Sequence, residues 1–190
     1  MTEAPDGEHA AHETSRARPG LVGLVWAQTP AGVIAADGEL PWDVPEDVAH
    51  FRATVHGHPV VMGRATWDSI PPSSRPMPHS RSVVITRDAS WSAPGAESVA
   101  SLEEALALLA GSDEVWVMGG GEVYALAIDA ADLLVVSEIE VDEPSGDLTV
   151  APPVDPAGWV ETTPLDVAGW RTSRTGTRWR IRHHRRPGGG

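Results

Sequence analysis

Three short segments of this chain carry groups able to do chemistry. The first runs Leu40-Pro41-Trp42, then Pro45-Glu46-Asp47, then Phe51. Asp47, Phe51 and Val55 are four residues apart, so on a helix they share one face, with Val48 flanking it. An acid on the apolar side of an amphipathic helix is unusual unless it is paired or functional, because its charged form loses hydration there. The plainer alternative is that Asp47 favours the helix N-terminus through the dipole and capping geometry. This feature alone leaves both readings open.

The second segment is Val61-Met62-Gly63-Arg64-Ala65-Thr66-Trp67-Asp68-Ser69-Ile70 and the third is Val117-Met118-Gly119-Gly120-Gly121-Glu122-Val123-Tyr124. Three glycines between a strand and a helix allow close backbone approach and leave N–H groups free for phosphate. The pattern is not the dinucleotide fingerprint G-x-G-x-x-G, because position 124 is Tyr. By itself the triplet reads equally as a turn. Gly63-Arg64-x-Thr66 also sits between strand and helix, where a guanidinium and a hydroxyl could face an anion. Two such starts suit a ligand with two phosphate groups, which their spacing does not name. No Ser–His–Asp set or carboxylate pair stands out for hydrolysis. His56-x-His58 and His183-His184 read as surface histidines, so no metal site is expected.

These segments need a frame. The 190 residues are enough for one domain with a core, and 41% hydrophobic with 22% charged is ordinary for a globular protein. The net charge of −13, from 27 acids and 14 bases, argues against general nucleic-acid binding, which needs a basic face. The basic run from Arg171 to Arg186 is expected to be a solvated terminal hairpin. There is no cysteine, which excludes disulfides, thiolate metal sites and Cys nucleophiles and fits a cytoplasmic setting. No stretch approaches the roughly 18 apolar residues of a membrane span, and the first twenty residues lack the pattern of a secretory signal.

Residues 1–19 and 186–190 are expected to be disordered tails around one domain at 20–185. Leu21–Ala27 is nearly continuous in apolar residues, as in a strand buried on both faces. Pro59–Met62, Ser82–Thr86, Glu114–Met118 and Asp132–Ile139 are further strands, with Trp159–Thr163 and Arg178–His184 forming a late antiparallel edge. Ser101-x-x-Glu104 is a capping box ahead of a helix at Leu102–Ala110. Pro45 opens a helix to about Val55, and Gly63–Ile70 and Gly121–Ile128 read as shorter helices. Pro71–Ser80 is a loop. Strands alternating with helices predict an α/β domain. Most of the eight tryptophans are packing residues, with Trp42 and Trp67 expected near a cleft.

In this order and spacing, the three segments resemble those of the dihydrofolate reductases, with Leu24-Val25-Trp26-Ala27 before them and Gly146-Asp147 after. The match runs from about Leu21 to His184. The resemblance implies a single-domain α/β fold, a central mostly parallel sheet with an antiparallel C-terminal edge and flanking helices. It implies an NADPH-dependent oxidoreductase of one-carbon metabolism and tetrahydrofolate biosynthesis that acts on dihydrofolate as a cytoplasmic monomer, without nucleic acid or membrane. Asp47 would be the ionisable group at the pterin, with Leu40 and Trp42 completing the catalytic set. Val25, Trp26, Ala27, Phe51, Arg52 and Ile70 would contact substrate, and Ser137 would bond Asp47 where the family usually has Thr. Leu40 would lie in a mobile loop that closes over the nicotinamide. Ala27, Ile34, Gly63, Arg64, Ala65, Thr66, Met118, Gly119, Gly120, Gly121, Glu122, Val123 and Tyr124 would contact the cofactor, with a cis peptide at Gly119–Gly120. Thr86 and Arg87 would take its adenosine 2′-phosphate, since no acid stands at either position to bond a bare ribose.

Two positions depart from the family pattern. Ser80 stands where an arginine normally clamps the α-carboxylate of the folate glutamate, leaving Arg52 or a redirected Arg81 as replacements. Ala35 stands where the family has Gly. The lost clamp would weaken folate binding by roughly 1.5–3 kcal/mol. It also keeps two alternatives in play: a reductase of the same fold for another pterin or pyrimidine, of the ribosylaminouracil reductase type, and a non-catalytic paralogue that binds nucleotide or folate.

Overall fold

The computed structural model describes residues 18–188. Its core is a nine-stranded mixed sheet built around β1 (Leu21–Gln28). On one side β1 pairs in parallel with β6 (Glu114–Val117), then β3 (Val60–Gly63), β4 (Ser82–Ile85) and β5 (Ala96–Val99) follow, also in parallel. On the other side it pairs in parallel with β7 (Leu133–Glu140). Then β11 (Arg178–Arg185) runs antiparallel to β7 and carries β10 (Arg171–Thr172) and β9 (Val160–Glu161). A separate ribbon joins β2 (Val33–Ala36) to β8 (Leu148–Val150). Four helices pack around the sheet: α1 (Pro45–Val55), α2 (Arg64–Ser69), α3 (Leu102–Leu108) and α4 (Gly121–Ala127). The expected α/β architecture, mostly parallel with an antiparallel late edge, is the one observed.

Central position explains the composition of β1. It has strands on both sides and cores on both faces, so alternate residues feed two clusters: Val22, Leu24 and Trp26 enter one, Val25 and Ala27 the other. Gly23 is required by packing, because a Cβ there would lie 2.6 Å from the Trp116 ring. Gly23→Ala is therefore expected to destabilise the fold by about 1–3 kcal/mol, as overpacking does. A denaturant midpoint equal to wild type would show that Trp116 can move aside.

Helix α3 is capped as its sequence predicts, with the Ser101 hydroxyl accepting from the Glu104 N–H at 3.2 Å. The Glu104 carboxylate reaches back to the Ala100 N–H at 2.9 Å, one residue before the cap. Helix α1 starts at Pro45 without a side-chain cap. The β10–β11 hairpin holds its first turn instead: Glu46 accepts from the Ser173 hydroxyl and, at 3.0 Å, from the Arg174 N–H. Thr175 donates to the Asp43 carbonyl at 2.6 Å. That hairpin fixes the position of Asp47.

Several expectations need correction. The strands β2, β5, β8 and β10 are additions to the expected set, each two to four residues long and placed by its pairing partner. Val48 is 41% exposed, because it lies about 100° around α1 from Asp47. The Arg171–Arg186 run is engaged in ion pairs and ring contacts: Arg178 with Glu140, Arg180 and Arg182 with Glu138, and the Arg186 guanidinium 4.1 Å from the Trp159 ring centre. His184 is buried in β11 instead of lying on the surface. At the expected tail boundaries, Arg18 pairs with Asp132 and donates to the Ala130 carbonyl, and Arg186 donates to the Ile128 carbonyl at 2.7 Å. The rest of the proposed tails, residues 1–17 and 189–190, lies outside the described residues. No helix among the described residues is long and apolar enough to cross a membrane.

Candidate active site

Asp47 is 8% exposed, on the sheet face that also carries Val25, Ala27, Phe51, Ile70 and Trp42. Burial pushes its carboxyl above the ordinary range, and a hydrogen bond from the Ser137 hydroxyl partly opposes the shift. Ser137 belongs to β7, directly opposite Ala27 of β1. One wall of the cleft is thus α1 and its floor is the β1–β7 pair, so acid and floor come from elements fixed by the sheet. Trp26, expected with Val25 and Ala27, points to the other face by strand alternation. There its ring lies 5.3 Å from that of Tyr124 and its N–H donates to Gln28 at 2.6 Å. Ile34 is buried in that same rear cluster.

The second and third sequence segments meet physically. Strands β3 and β6 are neighbours, and the Gly63 N–H donates to the Gly119 carbonyl at 2.8 Å. Cβ atoms built on Gly119 or Gly120 would lie 3.1 or 3.3 Å from the Thr66 hydroxyl oxygen, so the glycines keep open a space that Thr66 faces. Gly119–Gly120 is a cis peptide, and Gly119 has φ +127, a backbone geometry for which glycine is suited. Tyr124 is buried with its phenol held well above the usual pKa, and it donates to the Val25 carbonyl at 2.7 Å. Met118 is buried beside the front cluster, and Val123 and Gly121 open α4 behind it. Arg64, Ala65, Thr86, Arg87 and Glu122 all stand at the C-terminal ends of β3, β4 and β6 or in the helices that follow. This rim offers open backbone, hydroxyls and guanidinium groups, a donor set that fits a phosphorylated dinucleotide.

The loop 37–44 joins β2 to α1. Leu40 is 58% exposed on it, whereas Trp42 is half-buried against the front cluster. The loop root is clasped through the β2–β8 ribbon: Asp37 N–H donates to the Asp147 carbonyl at 2.9 Å, and Asp147 N–H to the Asp37 carboxylate at 3.0 Å. The sequence pointed to Gly146-Asp147 without assigning it a partner. A separate cavity of about 580 Å³ lies behind β1 and β7, lined by Gln28, Glu138 and Trp159, and takes in none of the expected site residues.

Residues 21–169 match the family model described as Dihydrofolate reductase. The chain belongs to the dihydrofolate reductase family. It is 48% identical over 168 residues to a dihydrofolate reductase of Mycobacterium tuberculosis, covering 87% of this chain and 98% of that one. It is 41% identical over 153 residues to one of Neisseria meningitidis, covering 80% and 90%. A solved dihydrofolate reductase of Enterococcus faecalis, complexed with NADP(H) and RAB-propyl, superposes with TM-score 0.78 at 26% identity, covering 90% of this chain and 98% of that one.

Within a dihydrofolate reductase frame the tail end of the cleft is unusual. The Ser80 hydroxyl makes long contacts, to the Val55 carbonyl at 3.5 Å and the Pro78 carbonyl at 3.4 Å. Arg81 is paired with both oxygens of Glu97, at 2.9 and 3.0 Å, a surface pair that a ligand carboxylate would have to displace. Arg52 is exposed one residue beyond Phe51.

Proposed function

We propose that this chain reduces 7,8-dihydrofolate to 5,6,7,8-tetrahydrofolate with NADPH. The observation that carries the reading is a lone buried acid, Asp47, set across a cleft from a glycine-lined rim suited to a dinucleotide. NADPH, when bound, supplies the hydride. Gly63, Arg64, Thr66 and the Gly119–Gly121 backbone hold its phosphates, Arg64 reaching the 2′-phosphate beside Thr86 and Arg87 because its pair with Asp88 sets it against that turn, and Ala27, Ile34, Met118 and Tyr124 flank its nicotinamide end. Val25, Ala27 and Phe51 hold the pterin against the sheet floor, and Ile70 packs on the ring system beyond it. The Asp47 carboxylate accepts from the pterin 2-amino and N3 groups and favours a proton at N5, delivered through water. The Ser137 hydroxyl orients that carboxylate. The loop bearing Leu40 and Trp42 excludes bulk water, so that these few dipoles act at full strength. We place the enzyme in the cytoplasm as a monomer serving one-carbon metabolism.

Purified protein with NADPH, followed at the nicotinamide absorbance, tests the reading. Rapid oxidation with dihydrofolate supports it. Turnover only with a dihydropterin lacking the glutamate favours the ribosylaminouracil reductase type of alternative, which the Ser80 substitution makes worth testing. Binding without turnover indicates a non-catalytic paralogue. Restoring the clamp with Ser80→Arg is expected to tighten dihydrofolate about tenfold, as a charge-assisted pair to a carboxylate does. No gain in the dihydrofolate KM would mean that Arg52 already holds the tail.

A further inference from the structure

We infer that Asp88 is a specificity-determining residue: it competes with the cofactor's adenosine 2′-phosphate for Arg64 and so narrows the preference for NADPH over NADH. The inference rests on the cofactor reading above. Sequence inspection finds no acid at Thr86 or Arg87, but the next residue is one, and the fold turns it toward the phosphate-binding arginine. One Asp88 oxygen lies 3.1 Å from the Arg64 guanidinium. Its other oxygen accepts from the Ser90 N–H at 3.1 Å and the Ser90 hydroxyl at 2.6 Å, and its own N–H donates to the Thr86 hydroxyl at 3.2 Å. The carboxylate is therefore held in place, and these bonds keep its pKa below the usual carboxylate range.

The neighbouring charges leave the two arginines already paired. Arg64 also faces Asp68 at 3.5 Å, and Arg87 faces Glu122 at 3.6 Å. Asp68 is shared with Arg75 at 3.8 Å, so three carboxylates already match three guanidinium groups before any phosphate arrives. A phosphomonoester brings between one and a half and two further negative charges, and it must displace Asp88 from Arg64 to be held there. A bare ribose has no such cost, and its hydroxyl can donate to the carboxylate, the arrangement by which an acid beside the ribose selects the unphosphorylated cofactor. Arg64 and Asp88 are each about half exposed, so solvent limits the effect to a few-fold.

The test is calorimetric titration of the full chain, free of turnover, with adenosine 2′,5′-bisphosphate and with ADP, comparing wild type, Asp88→Asn, Asp88→Ser and, as a charge control far from the rim, Glu103→Gln. Both Asp88 variants are expected to bind the bisphosphate roughly two- to fivefold more tightly, with ADP unchanged or weaker, and to widen the NADPH to NADH ratio of Kd values by a similar factor. Glu103→Gln should change neither. Unchanged bisphosphate affinity in the Asp88 variants, equal tightening of both nucleotides, or an equal gain in Glu103→Gln overturns the inference. Wild-type protein that binds neither the bisphosphate nor NADPH overturns the cofactor reading beneath it.

Discussion

Asp47→Asn is expected to lower turnover at neutral pH by at least tenfold, and on the order of a hundredfold if the carboxyl delivers the proton as a positioned acid does. Asn keeps the shape and the bond to Ser137 but cannot exchange a proton. Because burial raises the Asp47 pKa, wild-type turnover should fall as pH rises through that pKa, and the variant should lose this inflection. The same substitution should stabilise the unliganded fold. A carboxyl whose folded pKa lies above its unfolded value, near 3.9, costs stability at every pH above the folded pKa. That cost is relieved as pH falls toward the unfolded value, where both states carry the proton. Thermal unfolding of Asp47→Asn should therefore be shifted upward at pH 7, by about 2–4 °C for each kcal/mol relieved, with the gain vanishing near pH 3. A variant with the wild-type rate profile would remove Asp47 from proton delivery, whatever its stability.

Gly119→Ala should be comparably severe, through the other side of the cleft. The backbone there has φ +127, and an added Cβ would meet the Thr66 hydroxyl at 3.1 Å and the Tyr124 phenol oxygen at 3.5 Å. The left-handed geometry costs an L-residue of order 1–3 kcal/mol, and the methyl would occupy the space Thr66 faces. NADPH affinity is expected to fall at least about tenfold, a loss of roughly 1.4 kcal/mol, with a lower unfolding midpoint. Fluorescence titration with NADPH, alongside thermal unfolding, separates the two effects. NADPH binding equal to wild type in a folded Gly119→Ala would show that the glycine rim does not hold the cofactor.

Much of this layout was legible beforehand because each piece satisfied local and global demands together. The apolar run of β1, the Pro45 start of α1 and the Ser101 cap agree between sequence and structure because one local rule decides each. Asp47 was legible for a similar reason: an acid in an apolar stripe stands out against its neighbours. What escaped depended on distant partners. Strands β2 and β8 are defined by each other, and neither Val33–Ala36 nor Leu148–Val150 carries a strand signal strong enough alone. Trp26 was assigned to the cleft although strand alternation turns it to the rear core. Asp88 takes its meaning from Arg64, 24 positions away, and no periodicity announces that contact.

The placement of β1 between β6 and β7 also governs when such a cleft can exist. Val25 is bonded by Tyr124, 99 positions away, and Val22 by Asp132, 110 positions away. At ribosomal speeds of roughly 5–20 residues per second, the first strand waits several seconds for either neighbour, its greasy length uncovered. Asp47 emerges early but gains its Ser137 partner only with β7. The cleft is thus complete only late in synthesis, once the residues that close over the first strand have emerged.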